Sequence, residues 1–255
     1  MTETDTIIAS WLSQLEPISL DEMSGIKLMN RTDTKFVTSK AKLAAMLELA
    51  QGKYFAQQID GNRIANYRTV YWDTPWHRFF LEHHNGRAPR QKIRVRTYLD
   101  SDLTFLEVKT KNNHGRTKKK RIRVSDMNVN EPQNREFLGQ HLRYGADTLQ
   151  PALNNHFSRI TLVNKAKTER LTIDSHLSFR NLVSGKQKDM GKLVVIELKR
   201  NGHVDSPVLE MLRQLHIHPH GFSKYCMGSA LTNPQLPCNR FKMKLIEINK
   251  IVTIQ

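Results

Sequence analysis

A chain of 255 residues with 40 Lys and Arg against 24 Asp and Glu carries a formal charge of +16, and its sequence pI is about 10.0. Hydrophobic residues reach 38%, enough for a core, yet no apolar run approaches the roughly 20 residues of a membrane-spanning helix. Two cysteines cannot build a disulfide framework and the acidic opening MTETDTIIAS is no signal peptide, so a cytoplasmic setting is expected and secreted, collagenous, transmembrane and zinc-finger classes drop out.

In chain order, Ile7, Trp11, Leu12 and Leu15 fall on one helical stripe over residues 6–16, and Pro17 follows. Arg31, Asp33 and Lys35 then recur at every second residue, so in a strand they share a face. Ser39 caps a second predicted helix that buries Leu43, Met46, Leu47 and Ala50 and ends at Gly52. Three strand faces come next: Tyr67, Thr69, Tyr71 and Asp73; Lys92, Arg94, Arg96 and Tyr98; Phe105, Glu107, Lys109 and Lys111. A third helix is predicted from Pro132 to Tyr144 on Phe137, Leu138 and Leu142. Two more polar faces follow, Arg170, Thr172 and Asp174, then Val195, Glu197 and Lys199. Asp205-Ser206-Pro207 opens a fourth helix that buries Val208, Leu209, Leu212 and Leu215. Neither a repeat nor a low-complexity linker interrupts the chain. The expected organisation is an N-terminal helical segment at 1–24, one domain at 25–233 and a C-terminal tail at 234–255.

The charge is concentrated. Between Gly86 and Val124, 13 Lys and Arg stand against Asp100, Asp102 and Glu107, whereas the first 26 residues hold five acidic residues and no basic one. Such a surplus implies a polyanionic partner. The faces opposite the charged ones are apolar: Ile93 and Val95, Leu106 and Val108, Leu171 and Ile173, Val194, Ile196 and Leu198. For one strand this alternation describes a half-solvated sheet. Six such strands, with both charge signs interleaved, favour a closed antiparallel barrel whose apolar face lies outward under the helices and whose lumen is polar. Cations crowded in a lumen repel one another and require a polyanion, carboxylates or water. Non-specific nucleic-acid binding is the rival class. The aromatic content of 7% supplies no evident stacking platform, so no specific nucleic acid is expected.

The segments Arg31–Phe36, Tyr67–Thr74, Lys92–Arg96, Glu107–Lys111, Arg170–Asp174, Val195–Lys199 and Ser223–Tyr225 occur in an order that resembles the VTC domain, over roughly residues 25–230. This is the polyphosphate polymerase domain of the vacuolar transporter chaperone complex, found also in bacterial proteins. The resemblance implies an α+β triphosphate tunnel metalloenzyme: an antiparallel β-barrel with a charged lumen, flanked by helices, binding phosphates through Lys and Arg with Mn2+ or Mg2+ held by glutamate. It implies transfer of the ATP γ-phosphate onto a growing polyphosphate chain. Carried over by motif, Lys35, Arg94, Arg96, Lys109, Arg170 and Lys199 are the expected catalytic cations. Lys111, Lys118, Lys120, Arg159, Ser223, Lys224 and Tyr71 are expected to contact substrate, and Glu197, with Glu107, to hold the metal. A membrane protein subunit, holding the chain at the inner face of a membrane, is an implied partner.

This chain departs from the wider superfamily where two glutamates often open the domain, since only Asp33 stands there between Arg31 and Lys35. The alternatives are hydrolysis of triphosphate, polyphosphate or nucleotide, with Glu107 or Asp174 orienting water, and polyanion binding without catalysis. Phosphoryl transfer needs neutralised oxygens and an aligned nucleophile more than covalent help. A chain-terminal phosphate is already an anion, which suits a site rich in cations. His216, His218 and His220, and the pair His83 and His84, lack the carboxylate or Cys that would complete a metal site, and Cys226 reads as a packed thiol.

Overall fold

A computed structural model describes residues 2–24, 26, 31–114, 116–145, 149–202 and 204–253. Residue 25, where the expected domain begins, and the side chain of Arg31, first in its motif, lie outside the described residues. The elements run α1 (Glu3–Gln14), β1 (Glu16–Ile18), α2 (Leu20–Ser24), β2 (Arg31–Ser39), α3 (Lys40–Leu49), β3 (Tyr54–Gln57), β4 (Ala65–Asp73), α4 (Arg78–His84), β5 (Arg90–Tyr98) and β6 (Leu103–Lys111). They continue β7 (Thr117–Val124), α5 (Pro132–His141), β8 (Gln150–Asn164), β9 (Glu169–Asn181), β10 (Gln187–Asp189), β11 (Leu193–Asn201), α6 (Pro207–Gln214), α7 (Lys224–Thr232) and α8 (Lys242–Thr253).

Local chemistry sets the helix starts. At α1, Thr2 Oγ1 accepts from Asp5 N at 3.2 Å while the Asp5 carboxylate accepts from Thr2 N at 3.1 Å, a reciprocal cap. Ser39 caps α3, and Pro132 and Pro207 occupy the first turns of α5 and α6, where a missing N–H costs nothing. The four expected helices therefore form. Among the described residues four more form that the sequence reading did not anticipate, α2, α4, α7 and α8. For α4, the buried Asp73 carboxylate accepts from Phe79 N and Phe80 N at 3.0 Å each and from Thr74 N at 2.7 Å. The segment after Asn233, expected as a tail, contains α8, whose Ile248 is buried.

The main sheet is antiparallel in the order β2-β11-β9-β8-β4-β5-β6-β7. One face is apolar and covered by helices. Leu12, Leu43, Leu47 and Leu212 pack on Ile160, Ile173 and Ile196, and Phe79, Phe137 and Leu138 pack on Ile93, Val95 and Leu106. At one end of the other face, α7 packs with Leu153, Leu177, Phe179 and Val195. Gly228 permits this approach: a Cβ there would lie 2.5 Å from Phe179 and 2.7 Å from Leu153.

The expected closed barrel is corrected by the hydrogen bonding. Among the described residues β2 and β7 are the two edges and do not pair with each other. The edge of β2 is already engaged, because Phe36 bridges Pro219 and His220 N donates to Lys35 O at 2.7 Å. The architecture is an α+β antiparallel sheet with flanking helices. No helix among the described residues is long and apolar enough to cross a membrane.

Candidate functional site

The register carries the charged face across the whole strip. Lys35 lies opposite Glu197 and Asp33 opposite Lys199. Lys199 lies opposite Arg170 and Glu197 opposite Thr172. Arg159 lies opposite Asp174, Arg96 opposite Thr69, Arg94 opposite both Tyr71 and Glu107, and Lys92 opposite Lys109. The strip also curls. Lys109 on β6 lies within electrostatic reach of Lys35 and Asp33 on β2 and Glu197 on β11, although β2 and β6 are far apart in strand order. A segment before α7 helps hold this curl: Lys35 Nζ donates to Phe222 O at 3.1 Å and Lys92 Nζ to Ser223 Oγ at 2.8 Å.

Three inward carboxylates are each bracketed by two cations. Glu107 accepts from Arg94 at 2.6 Å on Oε2 and from Lys119 at 3.0 Å on Oε1. Asp174 forms a bidentate pair with Arg159, at 2.6 and 2.9 Å, and also accepts from Lys224. Glu197 meets Lys199 at 2.9 Å on Oε2 and Lys35 at 3.8 Å on Oε1. Burial alone would raise all three carboxyls. The cations win: Glu107 falls to about 2, and Asp174 and Glu197 sit well below the usual carboxylate range.

Cations remain in surplus. Among the described residues, no carboxylate lies within ion-pair distance of Lys92, Lys109 or Arg96. Arg96 is 6% exposed, and its Nε donates to Thr69 Oγ1 at 3.2 Å. Burial, and after it neighbouring positive charge, pushes Arg96 down to about 10 and Lys109 down to about 8. Lys92 also falls to about 8, through burial first, with Lys35 and Lys109 adding repulsion against the opposing Cys226 contribution. Aromatic faces substitute for part of the missing negative charge. Tyr67 and Phe157 stack at 5.0 Å, and the Arg96 and Arg159 guanidiniums lie 5.2–5.5 Å from both rings. Lys224 Nζ lies 4.1 Å from the Phe157 ring.

The structure thus brings Lys35, Arg94, Arg96, Lys109, Arg159, Arg170, Lys199, Lys224, Glu107 and Glu197 onto one concave face. Tyr71 is buried on the same face, opposite Arg94 and stacked on Tyr225 at 5.1 Å, and Lys111 lies at the strand end opposite Arg90. Ser223 accepts from Lys92 and caps α7. Lys118 and Lys120 do not join them. The register sets them opposite Thr110 and Val108, on the other side of β7, and gives the inner positions to Lys119, Arg121 and Arg123. Sequence reasoning missed Lys119, although Ile122 and Val124, which pack toward the outer core, carried the parity that identifies it.

Among the described residues no three His, Cys, Asp or Glu converge as a ready-made metal cage. Both oxygens of Glu107 and of Asp174 are taken by cations, whereas Oε1 of Glu197 has only the long contact to Lys35. That donor set fits a magnesium-type ion held by one carboxylate and completed by phosphate oxygens and water.

The VTC domain family matches residues 30–233. Among solved structures, a candidate adenylyl cyclase from Hippeastrum, reported to reveal a dominant triphosphatase activity, aligns with a TM-score of 0.52 at 12% identity, covering 83% of this chain and 99% of that one. A candidate adenylate cyclase from Vibrio parahaemolyticus aligns with a TM-score of 0.45 at 10% identity, covering 78% and 97%. No curated protein sequence matches the chain.

Proposed function

The chain belongs to the VTC domain family, and on that premise we propose that its cationic cleft transfers a phosphoryl group from ATP to a polyphosphate chain in the presence of Mn2+ or Mg2+. The observation that carries this reading is the charge balance of the concave face. After Glu107, Asp174 and Glu197 are each bracketed by two cations, the buried Arg96 and the half-buried Lys92 and Lys109 have, among the described residues, no carboxylate within ion-pair distance. A bound polyanion would bring the negative charge that this cluster lacks.

In this site Arg94, Arg96, Arg159 and Arg170 would grip phosphate oxygens bidentately, and Lys35, Lys109, Lys199 and Lys224 would supply compact charge. Phosphates that engage Lys35 and Lys199 would release Glu197, the carboxylate whose Oε1 is least tightly held, to hold the metal, with Glu107 as a second candidate. The metal's contribution is to neutralise charge on the phosphate oxygens. The acceptor terminus of a polyphosphate is an anion and needs alignment rather than a strong base.

Transfer to phosphate is favoured over hydrolysis by the state of the two carboxylates that could orient water. Both oxygens of Glu107 and both of Asp174 already accept from cations, which hold the two carboxyls low and make each a weak base toward a water molecule. Incubation of the pure protein with ATP and Mn2+ or Mg2+, with products resolved by length on a gel, tests the proposal. A ladder supports it. Free phosphate alone would replace it with a hydrolase, and unchanged ATP with a polyanion-binding module.

A further inference from the structure

Beside the cationic cluster, the described fold assembles something that composition does not reveal. Phe105 lies directly across the ladder from Arg96, on the same face, and Tyr98 meets it edge-on with ring centroids 5.8 Å apart. Tyr98 in turn packs at 4.9 Å on Tyr67, itself stacked on Phe157. Tyr67 and Phe157 are buried, but Phe105 and Tyr98 are only half-buried, so the row of rings surfaces at its outer end. There the Arg121 guanidinium lies 4.6 Å above the Phe105 ring, and Arg123 stands opposite Phe105 on β7. Both arginines are exposed.

We propose that Phe105, Tyr98 and Arg121 form a platform at the rim of the cleft on which the base of the nucleoside triphosphate stacks. The inference rests on the phosphate-binding reading above and deepens it. Unpaired bases stack on aromatic rings and on guanidinium planes, and they tolerate either because every base presents a π-face. Phe105 is one two-residue step along β6 from Glu107, roughly 7 Å, a reach that a ribose can span from a phosphate held at Arg94 and Arg96. Arg96, Arg121 and Arg123 frame the rings, so the phosphate end of the ligand and its base find complementary surroundings side by side. A purine, with the larger ring area, fits the row better than a pyrimidine.

Calorimetric titration of the full chain with ATP and with ribose triphosphate, which has the same phosphates and no base, separates the two ideas. The platform predicts that ATP binds about 5- to 150-fold more tightly, the range for one stacked base. Phe105→Leu should abolish that preference and leave ribose triphosphate binding as in wild type. Should Phe105→Leu fail to fold, the wild-type comparison still decides, together with quenching of a fluorescent purine triphosphate on binding. Equal wild-type affinities for the two ligands, or no quenching, would overturn the platform alone. Failure of both ligands to bind would overturn the phosphate reading and the platform with it.

Discussion

Replacing Lys109 with Met should stabilise the empty protein and weaken its grip on polyanions, a combination that ordinary core or surface substitutions do not produce. Burial first, and Lys35 second, lower the Lys109 amine from 10.5 to about 8. At about 1.4 kcal/mol for each tenfold change in proton affinity, the penalty has an upper limit of about 3.5 kcal/mol. Partial solvent access to the side chain screens this to about 1–2 kcal/mol. Methionine keeps most of the aliphatic stem, so the relief should appear as a rise in Tm of about 2–8 °C in a chain of this size. Tripolyphosphate should bind about 10- to 150-fold more weakly, the equivalent of a lost hydrogen bond to a charged group at about 1.5–3 kcal/mol. Lys118→Met, on the opposite side of β7, serves as the control and should alter neither quantity. Melting curves without ligand and calorimetric titrations of the three proteins test this. If Lys109→Met melts below wild type, or if the two variants lose affinity equally, the concave face is not an unsatisfied cationic site.

The same charge gives a pH signature. Lys92 and Lys109, each near 8 in the fold against an ordinary 10.5, make the unfolded chain bind more protons between those values, so their penalty is full below pH 8 and fades toward 10.5. The Tm advantage of Lys109→Met should therefore shrink as pH rises from 8 to 10, and wild-type affinity for tripolyphosphate should fall over that interval; a constant advantage would contradict the assignment. Glu197→Gln should abolish metal-dependent ATP turnover while circular dichroism keeps its native form, and undiminished turnover would transfer the metal to Glu107. Gly228→Ala should lower the midpoint of urea unfolding, because crowding of Phe179 and Leu153 costs about 1–3 kcal/mol against a helix-propensity gain of about 1 kcal/mol. A midpoint at or above wild type would mean that the helix shifts freely.

Period-2 alternation put most of these side chains on one face because a strand has only two, and apolar neighbours such as Ile93, Val95, Leu171 and Ile196 marked the buried one. The basic run Lys118-Lys119-Lys120-Arg121 defeated that reading, since four adjacent charges carry no parity of their own. Helices with a stripe, α1, α3, α5 and α6, were readable. By contrast α7 is buried on nearly every side and holds a central glycine, and α4 has seven residues, so neither presents the amphipathic pattern on which recognition depends, whereas α8 carries a stripe of Leu245, Ile248 and Val252 that the reading of a tail passed over. Barrel closure was not legible either. It turns on whether the loop at Pro219 and His220 reaches β2 first, a contact between residues nearly two hundred positions apart.

An unpaired edge strand ordinarily invites a second copy of the chain to extend the sheet. β7 ends the strip among the described residues and carries Lys118, Lys119, Lys120, Arg121 and Arg123 within six positions. Two such edges approaching each other would bring like charges together along their whole length, so mutual repulsion guards the protein against self-association. The guard is electrostatic and removable. Long polyanions that neutralise β7 from outside would allow edges to meet, and the solubility of this protein should therefore depend on how much free polyanion surrounds it.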